Sequence, residues 1–220
     1  MFGNIGPAGA KNLSLDFENI FHKYQLKIQG IIHIGAHYGQ EYEIYQNYQI
    51  PNLVFFEPLS HNFEILQGHV GNTTSNTRLF QKALGNDNKK IKMYVERANK
   101  GMSSSILKPN KHLEQYPQIV FDSEEIVDMV RLDDILEDKE NYNFIVIDVQ
   151  GYELEVFKGS QETLKTIDYI ITEVNREELY ENCARVEQLD EFLGEFDFKR
   201  VETNWEGETW GDAFYLKGNL

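Results

Sequence analysis

Two acidic residues stand at or next to the ends of separate apolar runs: Asp148 follows Phe144-Ile-Val-Ile147, and Glu173 sits near the end of Tyr169–Val174. Carboxylates carried to adjacent strand ends can orient a hydroxyl, take its proton, or share a divalent cation. Asp148 could equally hold a ligand's ammonium group or cap the turn that follows it. Glu173 could be no more than a solvated strand-end charge. A third acid, Glu57, lies twenty-two positions after Gly35, where the run Leu53–Phe56 ends. From such a position a carboxylate accepts hydrogen bonds from both ribose hydroxyls of an adenosine ligand. Gly35 and Gly39, in Gly-Ala-His-Tyr-Gly, let the backbone come close to that ligand, and amides of a helix beginning near Gln40 would face its anionic end. The G-x-G-x-x-G pattern that seats a pyrophosphate is absent, and His33 and His37 crowd the loop, which weighs against a nicotinamide dinucleotide without removing it. His33, inside the strand, reads as a hydrogen-bonded core residue.

These residues need a frame, and the chain alternates helical and extended patterns. Phe17, Ile20, Phe21 and Tyr24 share one face of a helix over 16–26, and Gln40 to Tyr48 reads as another helix. Buried strands are expected at 31–34, 53–56, 77–84, 144–148 and 169–174, with a half-exposed strand at 91–95. Gly68 to Asn76 reads as surface loop. Asn99 to Ser105 is a small-residue loop whose Ser103, Ser104 and Ser105 either offer hydroxyls to the adenine or acceptor side or serve only as a loop, and Lys108 to Ser123, with two prolines, has no sustained period. Residues 86–128 are therefore expected to be an insertion or lid. Asp133 and Asp134 start a short helix, and Glu153 to about Leu164 forms a longer one after the turn at Gly151. Val186, Leu189, Phe192, Leu193 and Phe196 mark the clearest amphipathic helix. The last strands, 198–202 and 213–216, are separated by too short a link for a crossover, so they pair antiparallel and the sheet is mixed.

Two hundred and twenty residues suit one α/β domain, with 1–14 expected to be a flexible N-terminus. The net charge of -15, from 36 acidic and 21 basic residues, argues against a nucleic-acid partner, which is held through phosphate neutralisation. Cys183 is the only cysteine, so an intrachain disulfide and a thiolate zinc cluster are excluded. No apolar run has the length of a membrane span, and Met1 to Leu15 lacks the basic start and apolar centre of a secretory signal. A cytoplasmic location is expected, and no pattern specifies an oligomeric state.

The succession His33-Ile-Gly-Ala-His-Tyr-Gly-Gln-Glu41, Phe56-Glu-Pro58, Val130-Arg-Leu-Asp-Asp-Ile-Leu136, Phe144-Ile-Val-Ile-Asp-Val-Gln-Gly-Tyr-Glu-Leu-Glu-Val-Phe-Lys-Gly159 and Ile171-Thr-Glu-Val174 resembles the FkbM-type methyltransferases. The resemblance spans most of the chain, and the segment Asp148 to Gly159 is its most specific part. It implies a class I methyltransferase fold: a Rossmann-like mixed seven-stranded sheet with helices on both faces and a final antiparallel pair. It also implies S-adenosylmethionine as methyl donor and an oxygen acceptor, commonly a hydroxyl of a sugar, glycan or polyketide-like natural product. His33 stands where many members carry an acidic residue, so no acidic contact to the cofactor comes from the first strand.

On this reading Gly35, Ala36, His37, Gly39, Gln40, Glu41, Glu57, Ala83, Ser104 and Asp148 form the cofactor side. Ser105, Tyr152, Asn175 and Trp205 form the acceptor side, while Tyr152, Trp205 and Trp210 each have packing as the plainer role. Residues 96–128 and 203–212 are expected to shape the acceptor pocket. The acceptor proton is assigned to Glu173 first, Asp148 second and His37 third. A bare carboxylate base and a metal-assisted alkoxide both suit two adjacent carboxylates, so a divalent cation stays open. Two other readings stand beside this one: a nicotinamide-dependent oxidoreductase, and a non-catalytic descendant that binds a partner through its acidic surface.

Overall fold

The computed structural model describes residues 15–71 and 76–218, so the expected flexible segment 1–14 lies outside the described residues. Its strands are β1 (Gly30–Ile34), β2 (Asn52–Phe56), β3 (Thr77–Phe80), β4 (Ala83–Leu84), β5 (Lys89–Glu96), β6 (Phe121–Val130), β7 (Phe144–Ile147), β8 (Tyr169–Asn175), β9 (Phe198–Glu206) and β10 (Trp210–Lys217). Its α-helices are α1 (Phe17–Lys23), α2 (Tyr42–Asn47), α3 (Ser60–Val70), α4 (Lys111–Gln115), α5 (Leu132–Ile135), α6 (Glu153–Lys158), α7 (Gln161–Leu164) and α8 (Val186–Gly194).

The seven-stranded sheet runs β3-β2-β1-β7-β8-β10-β9. Its centre is parallel, with Ile31 paired to Leu53 on one side and to Phe144 on the other. These strands are apolar at nearly every position because both of their faces are covered. Ile31, Phe55, Phe144 and Val146 meet Phe17, Ile20, Tyr45 and Leu66 of α1 to α3. Ile32, Ile34, Ile145 and Ile147 meet Val156 and Phe157 of α6 and Leu189 and Leu193 of α8. β10 runs antiparallel to both β8 and β9, as the short final link requires. After β3 the chain returns to the sheet on the far side of β1. The loops leaving β1 and β7 therefore diverge and open a crevice at the carboxyl ends of the strands.

Several elements differ from the sequence expectation. The strand expected over 77–84 breaks at the polar pair Gln81-Lys82, and Ala83–Leu84 joins a second sheet, β4-β6-β5. The stretch 108–123 contains α4 and the start of β6, whose run Phe-Asp-Ser-Glu-Glu-Ile-Val-Asp-Met-Val exposes Asp122, Glu124 and the apolar Ile126, which hides its period of two. The span 86–128, expected to be an insertion or lid, carries β5, α4 and most of β6. α3 continues into the stretch expected to be loop at Gly68, and 72–75 lie outside the described residues.

The helix expected over 153–164 divides at Gly159-Ser160. Asp133, expected to serve its own short helix, instead accepts the Glu162 and Thr163 amides at 2.9 Å each and starts α7. Among the described residues, no helix is long and apolar enough to cross a membrane.

Candidate functional site

A cavity of about 440 Å³ occupies the crevice, with strand-end residues such as Gly35, Glu57 and Asp148 on one wall and the stretch from Ala98 to Ile119 contributing the other. The Gly35 and Ala36 amides both donate to Phe56 O, at 2.9 and 3.0 Å, which ties the exit of β1 to the end of β2. Gly35 has φ +76°, and a Cβ there would overlap the Asp148 carbonyl oxygen, so only glycine lets β1 and β7 converge.

Glu57 is buried at the end of β2. Its Oε2 accepts the His37 amide and its Oε1 the Leu59 amide, each at 2.9 Å. Burial raises its pKa to about 7 against the pull of those two amides. His37 lines the same wall with both ring nitrogens engaged: Gln40 Nε2 lies 2.9 Å from Nδ1, and Nε2 lies 2.8 Å from Lys100 O. This pattern fixes the tautomer with the proton on Nε2, leaves no free lone pair for a base, and joins the glycine loop to the opposite wall. Burial lowers the His37 pKa. His33 Nδ1 and the Tyr45 hydroxyl share a hydrogen bond at 3.1 Å in the core, where burial lowers the His33 pKa to about 3 and keeps it neutral.

Side-chain alternation places Glu173 on the face that carries Tyr169 and Ile171, and brings Asp212 of β10 opposite it in register. Gln150 Nε2 donates to Asp148 Oδ1 and to Glu173 Oε2, both at 2.7 Å. Glu153 Oε1 accepts the Val149 and Gly151 amides at 3.0 and 3.1 Å, closing the turn after β7. Burial raises the pKa of Glu173 well above the usual carboxylate range, and the charges of Asp148, Glu153 and Asp212 push it further. Asp148, partly open to the cavity, is raised by desolvation, while hydrogen bonds from Gln150 and Glu173 steady its charged form. Burial and crowding favour the protonated form of both acids, more strongly at Glu173 than at Asp148. One oxygen from each of Asp148, Glu153 and Glu173 lies within 4.8 Å of the others, so these three could hold a cation once deprotonated.

Gly35, His37, Glu57, Ala83, Ser104, Asp148 and Glu173 all line the cavity. Ala36, Gly39, Gln40 and Glu41 are not part of its lining. Ser105 is wholly buried and donates to Gln150 O at 2.7 Å. Tyr152 packs against the cores of both sheets. Asn175 Nδ2 contacts Glu173 Oε1 at 3.2 Å behind the cavity. Trp205 packs on the core with the Arg176 guanidinium 3.8 Å from its ring centre, and Trp210 is the tryptophan that reaches the cavity.

Sequence reasoning left unassigned Gln150, Asp212, His112 and Tyr180. Gln150 stood inside the most specific motif and takes φ +56°, a conformation that marks a functional turn but leaves no trace in composition.

The donor set fits S-adenosylmethionine: a carboxylate for the ribose at Glu57, carboxylates at Asp148 and Glu173 for its ammonium group or an acceptor hydroxyl, and apolar surface from Ile34, Ala83 and Leu84 between them. The strand order and the site together define a class I methyltransferase fold. The chain belongs to the family of the methyltransferase FkbM domain, which it matches over residues 33–200. It is 32% identical over 127 residues to the 2-O-methyltransferase NoeI of Sinorhizobium fredii, in a match covering 54% of this chain and 52% of that one. The chain thus spans about half the length of that relative.

Two solved structures share the fold at a TM-score of 0.52 each. One, from Streptococcus agalactiae in the NADB-Rossmann superfamily, is 11% identical over 94% of this chain and 70% of the other. The second is a candidate S-adenosylmethionine-dependent methyltransferase from Listeria monocytogenes, 8% identical over 92% of this chain and 99% of the other.

Proposed function

We propose that the chain transfers the methyl group of S-adenosylmethionine to a hydroxyl oxygen of a sugar, glycan or related natural product. One observation carries this reading: Glu57 and the Asp148–Glu173 pair stand on the wall of a single cavity. Family membership supports the donor, and the relative described as a 2-O-methyltransferase supports oxygen as the acceptor atom.

When bound, S-adenosylmethionine supplies an electrophilic methyl on sulfur for in-line displacement. Glu57 would accept its ribose hydroxyls through the lone pairs left free by the His37 and Leu59 amides. Asp148, partly open to the cavity, is the carboxylate placed to take the acceptor's proton as the oxygen bonds to the methyl. Glu173, whose protonated form burial favours, acts by fixing Asp148 through their shared Gln150 amide. Gln150 keeps the two carboxylates in place, and alignment of this kind is worth about 7–11 kcal/mol for well-oriented partners. A cation would have to displace the protons of this cluster and compete with the two amides on Glu153, which favours the bare carboxylate.

The test is incubation with radiolabelled S-adenosylmethionine and a panel of glycans and small alcohols. Label should appear on an acceptor, and Glu57→Ala should abolish cofactor binding. Transfer should survive EDTA within twofold, whereas loss restored by Mg²⁺ or Mn²⁺ would replace the carboxylate base with a metal-assisted one. Absence of both label transfer and cofactor binding would overturn the reading.

A further inference from the structure

The stretch from Ala98 to Ile119 in the cavity wall carries a residue with no part in the chemistry described above. His112, on α4, is 4% exposed, yet its buried Nδ1 has no hydrogen-bond partner among the described residues. Of the buried side chains with such an unpartnered atom, it is the one that lines the cavity. An unsatisfied buried nitrogen costs free energy that a phenylalanine or leucine at the same place would avoid.

The ring is also held in place. Its backbone amide donates to Leu179 O at 3.0 Å, and the ring centre lies 5.1 Å from Tyr116, 5.4 Å from Phe121 and 5.4 Å from Tyr180. Burial lowers its pKa, so it presents a neutral imidazole with one donor and one acceptor. Beside it, Trp210 Nε1 donates to the Tyr116 hydroxyl at 2.9 Å, which locks two further cavity-lining rings against each other.

We infer that His112, Tyr116 and Trp210 form the acceptor subsite and take a pyranose ring, His112 hydrogen-bonding one of its hydroxyls while the aromatic wall covers an apolar ring face. The chemistry matches in both respects. A pyranose is a flat-sided ring that needs apolar cover, and it carries hydroxyls that can donate to or accept from a neutral imidazole. His112 and Tyr116 come from the outer wall and Trp210 from the start of β10, and all three line the same cavity as Asp148, so an acceptor held there would share that cavity with the carboxylate. This inference rests on the methyl-transfer reading and narrows its substrate to a sugar held through His112.

Histidine-labelled full-length chain, saturated with S-adenosylhomocysteine and titrated with methyl pyranosides of common hexoses and 6-deoxyhexoses, provides the NMR test. At least one glycoside should shift the His112 imidazole signal, identified by its absence in His112→Gln, together with the Trp210 indole signal. His112→Ala should weaken that glycoside at least tenfold and leave S-adenosylhomocysteine binding within twofold, and His112→Gln, which keeps a donor and an acceptor, should recover part of the loss. The inference is overturned if no glycoside moves the His112 signal, if glycosides bind while moving only Trp205, or if His112→Ala binds them as the wild type does. Failure of S-adenosylhomocysteine to bind the wild type would instead overturn the methyl-transfer reading beneath it.

Discussion

Asp148 and Glu173 are joined through one amide: Gln150 Nε2 stands 2.7 Å from an oxygen of each. Two carboxylates this close would otherwise repel, and a donor shared between them holds the pair at one separation. Gln150 does this from a left-handed backbone, φ +56°. Gln150→Gly therefore removes the amide without adding backbone strain, whereas most other substitutions would change both at once. We expect methyl transfer to fall by about 10²-fold, within the range for a mispositioned proton acceptor, with cofactor affinity held within threefold. Initial rates with labelled donor and calorimetric titration of S-adenosylhomocysteine measure the two quantities, and equal losses in both would contradict a positioning role.

The burial of Glu57 makes stability depend on pH. Its pKa rises from the ordinary 4.5 to about 7, so the folded chain binds this proton more tightly than the unfolded chain. The stabilisation is complete below about pH 4.5 and is lost as pH climbs toward 7, by something on the order of 3 kcal/mol. Glu153, raised to about 7 by burial, acts in the same direction. Urea unfolding at pH 5 and pH 8 should show the wild type weaker at pH 8. Glu57→Gln should flatten the slope while costing stability at pH 5, because its amide nitrogen would face a backbone N–H that an oxygen now accepts. A slope unchanged by the substitution would place the titrating group elsewhere.

The parts of the fold that could be read from the residues are those where one pattern meets one environment. β1, β2, β7 and β8 are covered on both faces, so their continuous apolar runs were plain, and the short link after β9 fixed the antiparallel end. β6 escaped because its small sheet leaves alternate positions in water and places Glu124 and Glu125 side by side. The division of α6 from α7 escaped because its cause is remote: Asp133, twenty-nine positions before Glu162, supplies the cap. In the site, Glu57, Asp148 and Glu173 were legible since each closes or nearly closes an apolar run. His112 was not, for its meaning depends on three rings from separate segments and on a nitrogen left without a partner.

The end of α6 meets the small sheet backbone against backbone. Gly159 ends α6 against Gly85, which follows β4, and a Cβ on Gly159 would overlap the Gly85 carbonyl oxygen. Its φ is -86°, so the backbone tolerates alanine and only the close approach forbids it. Gly159→Ala should cost about 1–3 kcal/mol through overpacking. Displacement of β4 would also move Ala83 in the cavity wall, so cofactor affinity should fall with stability. Thermal unfolding and S-adenosylhomocysteine titration of this variant test the coupling, and a stability loss with unchanged affinity would separate the second sheet from cofactor binding.

Tyr180 links the carboxylate pair to the opposite wall. Its hydroxyl oxygen is 2.9 Å from Gln150 Oε1 and 2.9 Å from Ser103 O, so a single proton serves the clamp on Asp148 and Glu173 and the serine loop on the cavity wall. Burial holds the phenol pKa well above its ordinary value, and neighbouring carboxylates push the same way, so the hydroxyl remains a donor through neutral pH. The serine loop is otherwise closed by Glu96, which accepts the Asn99 and Ser103 amides at 2.7 and 3.2 Å, so losing the Tyr180 hydroxyl should loosen the loop without unfolding it. Tyr180→Phe keeps the ring that packs on His112 and removes only the hydroxyl. The expected cost is about 0.5–1.5 kcal/mol in global stability, typical of one hydrogen bond. Faster amide exchange should be confined to residues 99–105, and the transfer rate should fall about tenfold as Gln150 loses its fixed orientation. Hydrogen exchange read by mass spectrometry separates the two ends of this link. Protection unchanged at 99–105, with the rate reduced, would confine the role of Tyr180 to the Gln150 side.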